Sequence, residues 1–386
     1  MDYRTGFSLH RAVDGAFSEW TVAGCSLRDG RLELDAATAG AIPGETPSLR
    51  GEALSPELAS DFPFRSCVPS WNADAPDGSW LELSLRARSG GVWSSWRTMG
   101  AWAPGESTVR RHSVEGQDDA AARVSTDTFE PRLPADAFQA RFYLFAATGP
   151  GGEPIPAAMP AVRAFSLAYS DPKPAAESIE PSAPLEDPRV ARGLVLGAVP
   201  RCSQMVYPNG GNVWCSPTSV SMVLGYWRGD QGPCESRVRA AVAGVYDHVY
   251  EGHGNWSFNA AYAGSIPGME AYVARFSGLD RLEPWIAAGV PVVLSVSWNN
   301  DEGRLMTGAP VAKTDGHLTT LVGFDDDGNA VMNEPASPSN ETVRRTYDRE
   351  ELEVRWLSAS GGVAYVIFPS GAGASDRARV FASTIG

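Results

Sequence analysis

The sequence predicts an α+β protein in two parts, an all-β N-terminal region followed by a domain that mixes helix with sheet. Three observations carry this. Up to about residue 170, short runs such as Arg31-Leu32-Glu33-Leu34 and 79–86 alternate apolar and polar side chains, which puts the apolar ones on one face of a strand. From 171 to 192 the composition changes to five prolines among Ala, Ser and Glu, with no aromatic residue. Beyond it, Val220, Val223, Leu224 and Trp227 recur at the spacing of one buried helix face, and strand-like runs follow.

The N-terminal region, 1–170, reads as a β-sandwich. Turn signals at Asp29-Gly30, Asp77-Gly78 and Gly90-Gly91 separate its strands, and 139–146 and 162–169 supply later ones. Trp93, Trp96 and Trp102 cluster around one hairpin. Buried, they belong to the core; exposed, they would stack on sugars or a partner surface, and burial is the expectation. The stretch 85–96 resembles strands of β-sandwich modules attached to bacterial cell-wall enzymes. Residues 171–192 form a semi-extended linker that is poorly able to bury anything. The second domain, 193–386, opens with the helix that starts at Cys215. Further helices are expected at 236–248, 268–276 and 282–288, and strands at 292–298, 317–324, 330–333 and 362–368. Asp325-Asp326-Asp327-Gly328-Asn329 between two of these strands is a turn, since no glutamate stands where a calcium loop would need one.

Composition narrows the function. The 386 residues carry a net charge of −14 with Lys and Arg scattered, which argues against nucleic acid and anionic membranes as partners. No run of about 18 apolar residues is present, so no membrane span is expected. The first residues lack the apolar core of a signal peptide, while a linker between two domains fits a secreted or envelope protein. Five cysteines (Cys25, Cys67, Cys202, Cys215 and Cys234) are too few and too spread for a disulfide scaffold, and no zinc spacing appears. No metal or cofactor is expected. Cys202 and Cys234 could pair, but two small buried thiols are the simpler expectation.

Cys215 stands apart from the other four. A thiol at a helix start feels the positive end of the helix dipole and unpaired N–H groups, which favour its thiolate. Ser216, Pro217 and Thr218 supply start signals for that helix. Gln204, eleven residues upstream, offers an amide donor that a loop could fold back beside the sulfur. A cysteine nucleophile also needs a base and a group to orient that base. His10 and His112 fall in the β region, and His248 and His253 have no acid at a telling spacing. His317 opens an apolar strand, and a hairpin of the right length returns Asn333 or Glu334 beside it; either could fix its tautomer. Trp214 and Trp256 could line a cleft by the sulfur or belong to the core.

With these residues in place, the second domain resembles the bacteriocin-processing (double-glycine leader) peptidase-like family of papain-fold cysteine peptidases, in its soluble branch. The likeness rests on Gln204, 214–219, Gly316-His317-Leu318 and 331–335, with 254–259 and Tyr347-Asp348-Arg349 also similar, and spans about 196–369. It implies a papain-like fold with Cys215 as nucleophile, His317 as base and Gln204 as oxyanion donor. Two positions depart from the pattern. Ser216 replaces the usual glycine, where it could crowd the oxyanion or cap the helix, and Glu334 fills the slot of an aspartate before proline. Glu334 matches by position and Asn333 by papain's chemistry, with Glu334 slightly favoured. The expected activity is hydrolysis of a peptide or related amide through a thioester. The same thioester captured by an amine would make a transpeptidase or acyltransferase. A catalytically inactive papain fold tethered to a module that binds a cell-wall polymer is the third reading.

Overall fold

Alternating strands need a second apolar face to cover them, and the N-terminal residues find it in each other. The computed structural model describes residues 3–43, 47–106, 108–149, 152–153, 159–186 and 191–371. They group into two compact units, one of residues 8–171 with 246–265, the other of 1–7, 172–245 and 266–386. The α-helices among the described residues are α1 (Cys215–Trp227), α2 (Cys234–Val245), α3 (Trp256–Ser265), α4 (Glu283–Ala287) and α5 (Arg349–Ser360). None is long and apolar enough to cross a membrane.

The first unit is sheet-rich, built on antiparallel sheets of seven and eight strands. Their inward side chains, among them Trp20, Leu34, Trp71, Leu83, Phe142 and Phe165, share one buried cluster. Of the hairpin tryptophans only Trp102 enters it. Trp93 and Trp96 are half-buried elsewhere, each 4.8 Å from the Arg86 guanidinium, with Arg141 4.4 Å from the Trp96 ring. Cation–π contacts of this kind are worth about 0.5–1 kcal/mol each.

Residues 246–265, expected in the second domain, join this unit. Phe258 of α3 is buried with its ring centroid 6.3 Å from that of Trp71, and the Ser257 hydroxyl donates to the Pro69 carbonyl. Asn255 caps the helix by accepting from the Phe258 N–H at 3.0 Å. The buried Asp127 carboxylate accepts from the Trp256 N–H. A Cβ at Gly264 would come within 2.5 Å of Asn72 Oδ1, so any side chain there would have to displace Asn72. Tertiary packing has overridden the order of the chain.

The second unit is built on a six-stranded antiparallel sheet. Its order is Met269–Arg275, Val363–Pro369, Val292–Asn299, Lys313–Phe324, Ala330–Asn333 and Arg344–Tyr347. The helix expected at 268–276 is thus a strand. Its seven residues are all buried, and Tyr272 and Val273 favour a sheet paired in unbroken register with Val363–Pro369. Helix α1 packs against the sheet and is buried around most of its circumference from Ser216 to Gly225. Its first turn carries no side-chain cap, so Ser216 and Thr218 are not start signals of the expected kind. The Asp325 carboxylate accepts from the N–H groups of Asp327 and Asn329 within its own turn.

One sequence expectation fails here. Cys202 and Cys234 are disulfide-bonded, with Cα atoms 5.7 Å apart, because the start of α2 lies beside the loop that carries Cys202. The linker is held by polar bonds. Ser182 gives its N–H and hydroxyl to the buried Glu353 at 2.7 and 2.6 Å, and Arg349 reaches the Ser182 carbonyl at 2.8 Å. The Leu185 N–H donates to Glu283, itself paired with Arg349. A proline-rich segment that cannot bury apolar surface is seated instead by polar bonds to its backbone. Residues 187–190 of the linker lie outside the described residues.

Two stability predictions follow from these joints. The Cys202–Cys234 bridge closes a loop with a sequence separation of 32, so replacing both cysteines by serine should lower unfolding free energy by about 3–4 kcal/mol, read from urea denaturation. Burial pushes the Asp127 carboxyl up to about 6, against the Trp256 and Thr128 bonds that favour its charge. A raised carboxyl contributes its full stability below the ordinary carboxylate range and loses it as pH rises through about 6. Asp127→Asn should therefore gain about 2–3 kcal/mol on the wild type between pH 4 and 7. A pH-independent difference would refute the shift.

Candidate active site

The site assembles at one end of the six-stranded sheet. Cys215 is the first residue of α1, so its own N–H has no intrahelical acceptor and the helix dipole points its positive end at the sulfur. His317 lies on the Lys313–Phe324 strand, paired across from Val296. Its Nε2 lies 2.6 Å from Glu334 Oε1, and its ring also hydrogen-bonds the Cys215 sulfur. Glu334 follows the Ala330–Asn333 strand, which forms a hairpin with the His317 strand. Its side chain is wholly buried, yet both oxygens are served: Oε1 also accepts from the Ala336 N–H at 2.8 Å, and Oε2 from the Tyr347 hydroxyl at 3.2 Å.

The electrostatics follow from that chain of bonds. Burial alone would suppress charge on all three groups. For His317, the Glu334 charge, the Cys215 bond and the Glu334 bond overcome burial and raise it to about 10. For Cys215, burial works against ionisation, but the His317 bond and charge and the Leu318 N–H hold the thiol below its ordinary value, with Glu334 opposing. Glu334 is likewise held below the usual carboxylate range despite its burial, chiefly by His317. Both shifts run toward a thiolate beside an imidazolium.

Gln204 is anchored by its N–H, which donates to the Pro335 carbonyl at 2.8 Å, one residue beyond Glu334. From there a series of turns leads to Cys215: Tyr207 N–H to Gln204 O, Gly211 N–H to Tyr207 O, and Trp214 N–H to Gly211 O. Gly211 is needed in this loop, because a Cβ there would lie 2.2 Å from the Gln204 carbonyl oxygen. The Gln204 amide is 2 % exposed, and its Oε1 has no hydrogen-bond partner among the described residues. A buried acceptor left unsatisfied costs about 1–3 kcal/mol.

Other expected residues go elsewhere. Asn333 does not meet His317. Its Nδ2 donates to the Pro200 carbonyl at 2.9 Å and its Oδ1 accepts from Arg344 Nε at 2.6 Å, because successive strand residues point to opposite faces. Trp214 is buried in an apolar cluster with Tyr207, Met222 and Val331 and is core. Trp256 belongs to the sheet-rich unit. The Ser216 hydroxyl neither caps α1 nor is left unengaged, since it shares a hydrogen bond with Tyr365. Two aromatics that the sequence reading did not select take part. The buried Trp298 stands edge-on to the His317 ring at 5.2 Å, and Tyr347 holds Glu334. Trp298 could have been found from its place two residues past the partner of His317 on the neighbouring strand.

Comparison with known proteins matches both parts of the chain. Residues 197–364 match the model of the Peptidase C39-like family, and residues 9–170 match that of the Peptidase C39 N-terminal domain. No protein of curated function matches. Among solved structures, a Bacillus anthracis protein described as a C39-like peptidase shares 18 % identity over 46 % of this chain and 98 % of its own, at a TM-score of 0.34. The module TmCBM61, solved with β-1,4-galactotriose, shares 11 % identity over 41 % of this chain and 92 % of its own, at 0.22. Superpositions at these scores add nothing to what the family models show. With both parts of its sequence matched, the chain belongs to the peptidase C39-like family.

Proposed function

We propose that the protein is a papain-like cysteine peptidase in which Cys215, His317 and Glu334 form the triad and Gln204 the oxyanion donor. The observation that carries this reading is the unbroken run of hydrogen bonds from the Cys215 sulfur through His317 to a buried, fully satisfied Glu334. The thiolate attacks the carbonyl carbon of a peptide or related amide, forming a C–S bond. Gln204 Nε2 and the Cys215 N–H hold the oxyanion. As the tetrahedral centre collapses, His317 gives its proton to the leaving nitrogen, the C–N bond breaks and a thioester remains. Water then attacks with His317 taking its proton, and the thiolate leaves. The Cys202–Cys234 bridge supports a secreted or envelope location, where disulfides persist.

Iodoacetamide and intact-protein mass test the pair directly, because Cys25 and Cys67 are buried and one adduct reports Cys215. Alkylation of Cys215 should already be fast well below the pH where an ordinary thiol ionises, about 8.5. His317→Ala should return it to that range. Slow, His317-independent alkylation would remove the thiolate–imidazolium pair and the mechanism with it. Turnover should rise on the acid side as Cys215 ionises and fall on the alkaline side as His317 loses its proton near 10. Gln204→Ala should cut kcat by about 10²–10³ while leaving alkylation unchanged. Product masses with an added amine separate hydrolysis from acyl transfer.

A further inference from the structure

We propose that Tyr347 is a positioning residue that acts on His317 through Glu334. The inference deepens the peptidase reading and rests on it. A glutamate reaches the histidine with one more rotatable bond than an aspartate in the same slot, so its carboxylate has more ways to turn out of line. Three donors remove that freedom. His317 and the Ala336 N–H share Oε1, and the Tyr347 hydroxyl is the donor to Oε2 among the described residues. Without it, a fully buried carboxylate oxygen would have no partner.

The placement is rigid. Tyr347 ends the Arg344–Tyr347 strand and pairs with Ala330, which puts its side chain on the sheet face shared by Ala330, Met332 and Glu334. From there its 1 % exposed ring runs beneath the strand to the carboxylate. Burial and the Glu334 charge both push the phenol far above its ordinary value, so it stays a donor over the whole working range. It has no hydrogen bond to Cys215 or His317 among the described residues, so its effect passes through Glu334.

Tyr347→Phe removes one oxygen and keeps the ring. Its kcat should fall by about ten-fold, the worth of one hydrogen bond to a buried charge, with KM unchanged. The acid limb of Cys215 alkylation by iodoacetamide should move to higher pH. Glu334→Asp, which retains Tyr347 but whose shorter arm cannot hold both partners, should move the limb in the same direction; this variant serves if Tyr347→Phe does not fold. In a Glu334→Gln background the added Tyr347→Phe change should alter the alkylation rate less than two-fold, because the charge it holds is gone. An unmoved limb in a folded Tyr347→Phe protein, or effects that simply multiply with Glu334→Gln, would overturn the proposal while leaving the peptidase reading intact. Wild-type Cys215 that alkylates like an ordinary thiol would overturn both.

Discussion

A histidine that stays charged inside a protein needs a carboxylate, and a buried carboxylate needs donors of its own. The bond between His317 Nε2 and Glu334 Oε1, 2.6 Å long with both side chains out of solvent, meets the first need. The Ala336 N–H and the Tyr347 hydroxyl meet the second. Remove either donor and burial would favour a neutral Glu334, then a neutral His317, then a neutral Cys215. The charge favoured on each group rests on the next, so groups that never touch the sulfur bear on its ionisation.

The hairpin end that holds this bond also holds the other half of the site. The Gln204 N–H docks on the Pro335 carbonyl, and the Ser203 N–H and hydroxyl dock on Asn340 and the Ser337 carbonyl. Two residues back, Cys202 is tied to the first residue of α2. Asn333 seals the underside by donating to the Pro200 carbonyl. The loop carrying Gln204 is therefore fixed to the same backbone segment as Glu334. A shift in one moves the other, and the relative position of Gln204 and His317 is set by one short stretch, 333–340.

What could be read in the sequence was what carries a local signal. Cys215 stands at a helix start, His317 at the head of an apolar strand, and Gln204 at a usable distance upstream. Glu334 against Asn333 could not be decided that way, since they are successive residues of the hairpin that returns beside the histidine and only the face each takes separates them. The strand at 269–275 shows how a short apolar run fits either period until a partner strand claims it. Trp256 was out of reach for a different reason. Residues 246–265 leave the unit that precedes them in sequence and pack with strands more than a hundred residues away, and no local pattern records that choice.

In a chain of net charge −14, six carboxylates among the described residues are nevertheless buried, and several of them sit where segments distant in sequence must meet. Asp247 accepts from the N–H groups of Ser113, Val249 and Tyr250 and from Asn255. Asp127 holds the start of α3, Glu353 seats the linker and the Leu279 N–H, and Glu334 closes the site. Such groups add little net stability, because their desolvation offsets most of what the bonds return. They are severe about geometry, however: any other docking of the same segments would leave a charge unpaired at a cost of several kcal/mol. Apolar burial can tolerate a slipped helix or a shifted loop, and a buried carboxylate with three or four assigned donors cannot. In Glu334 the same device that fixes a joint elsewhere in the fold is aimed at a histidine, and there the demand for one geometry becomes a demand for one protonation state.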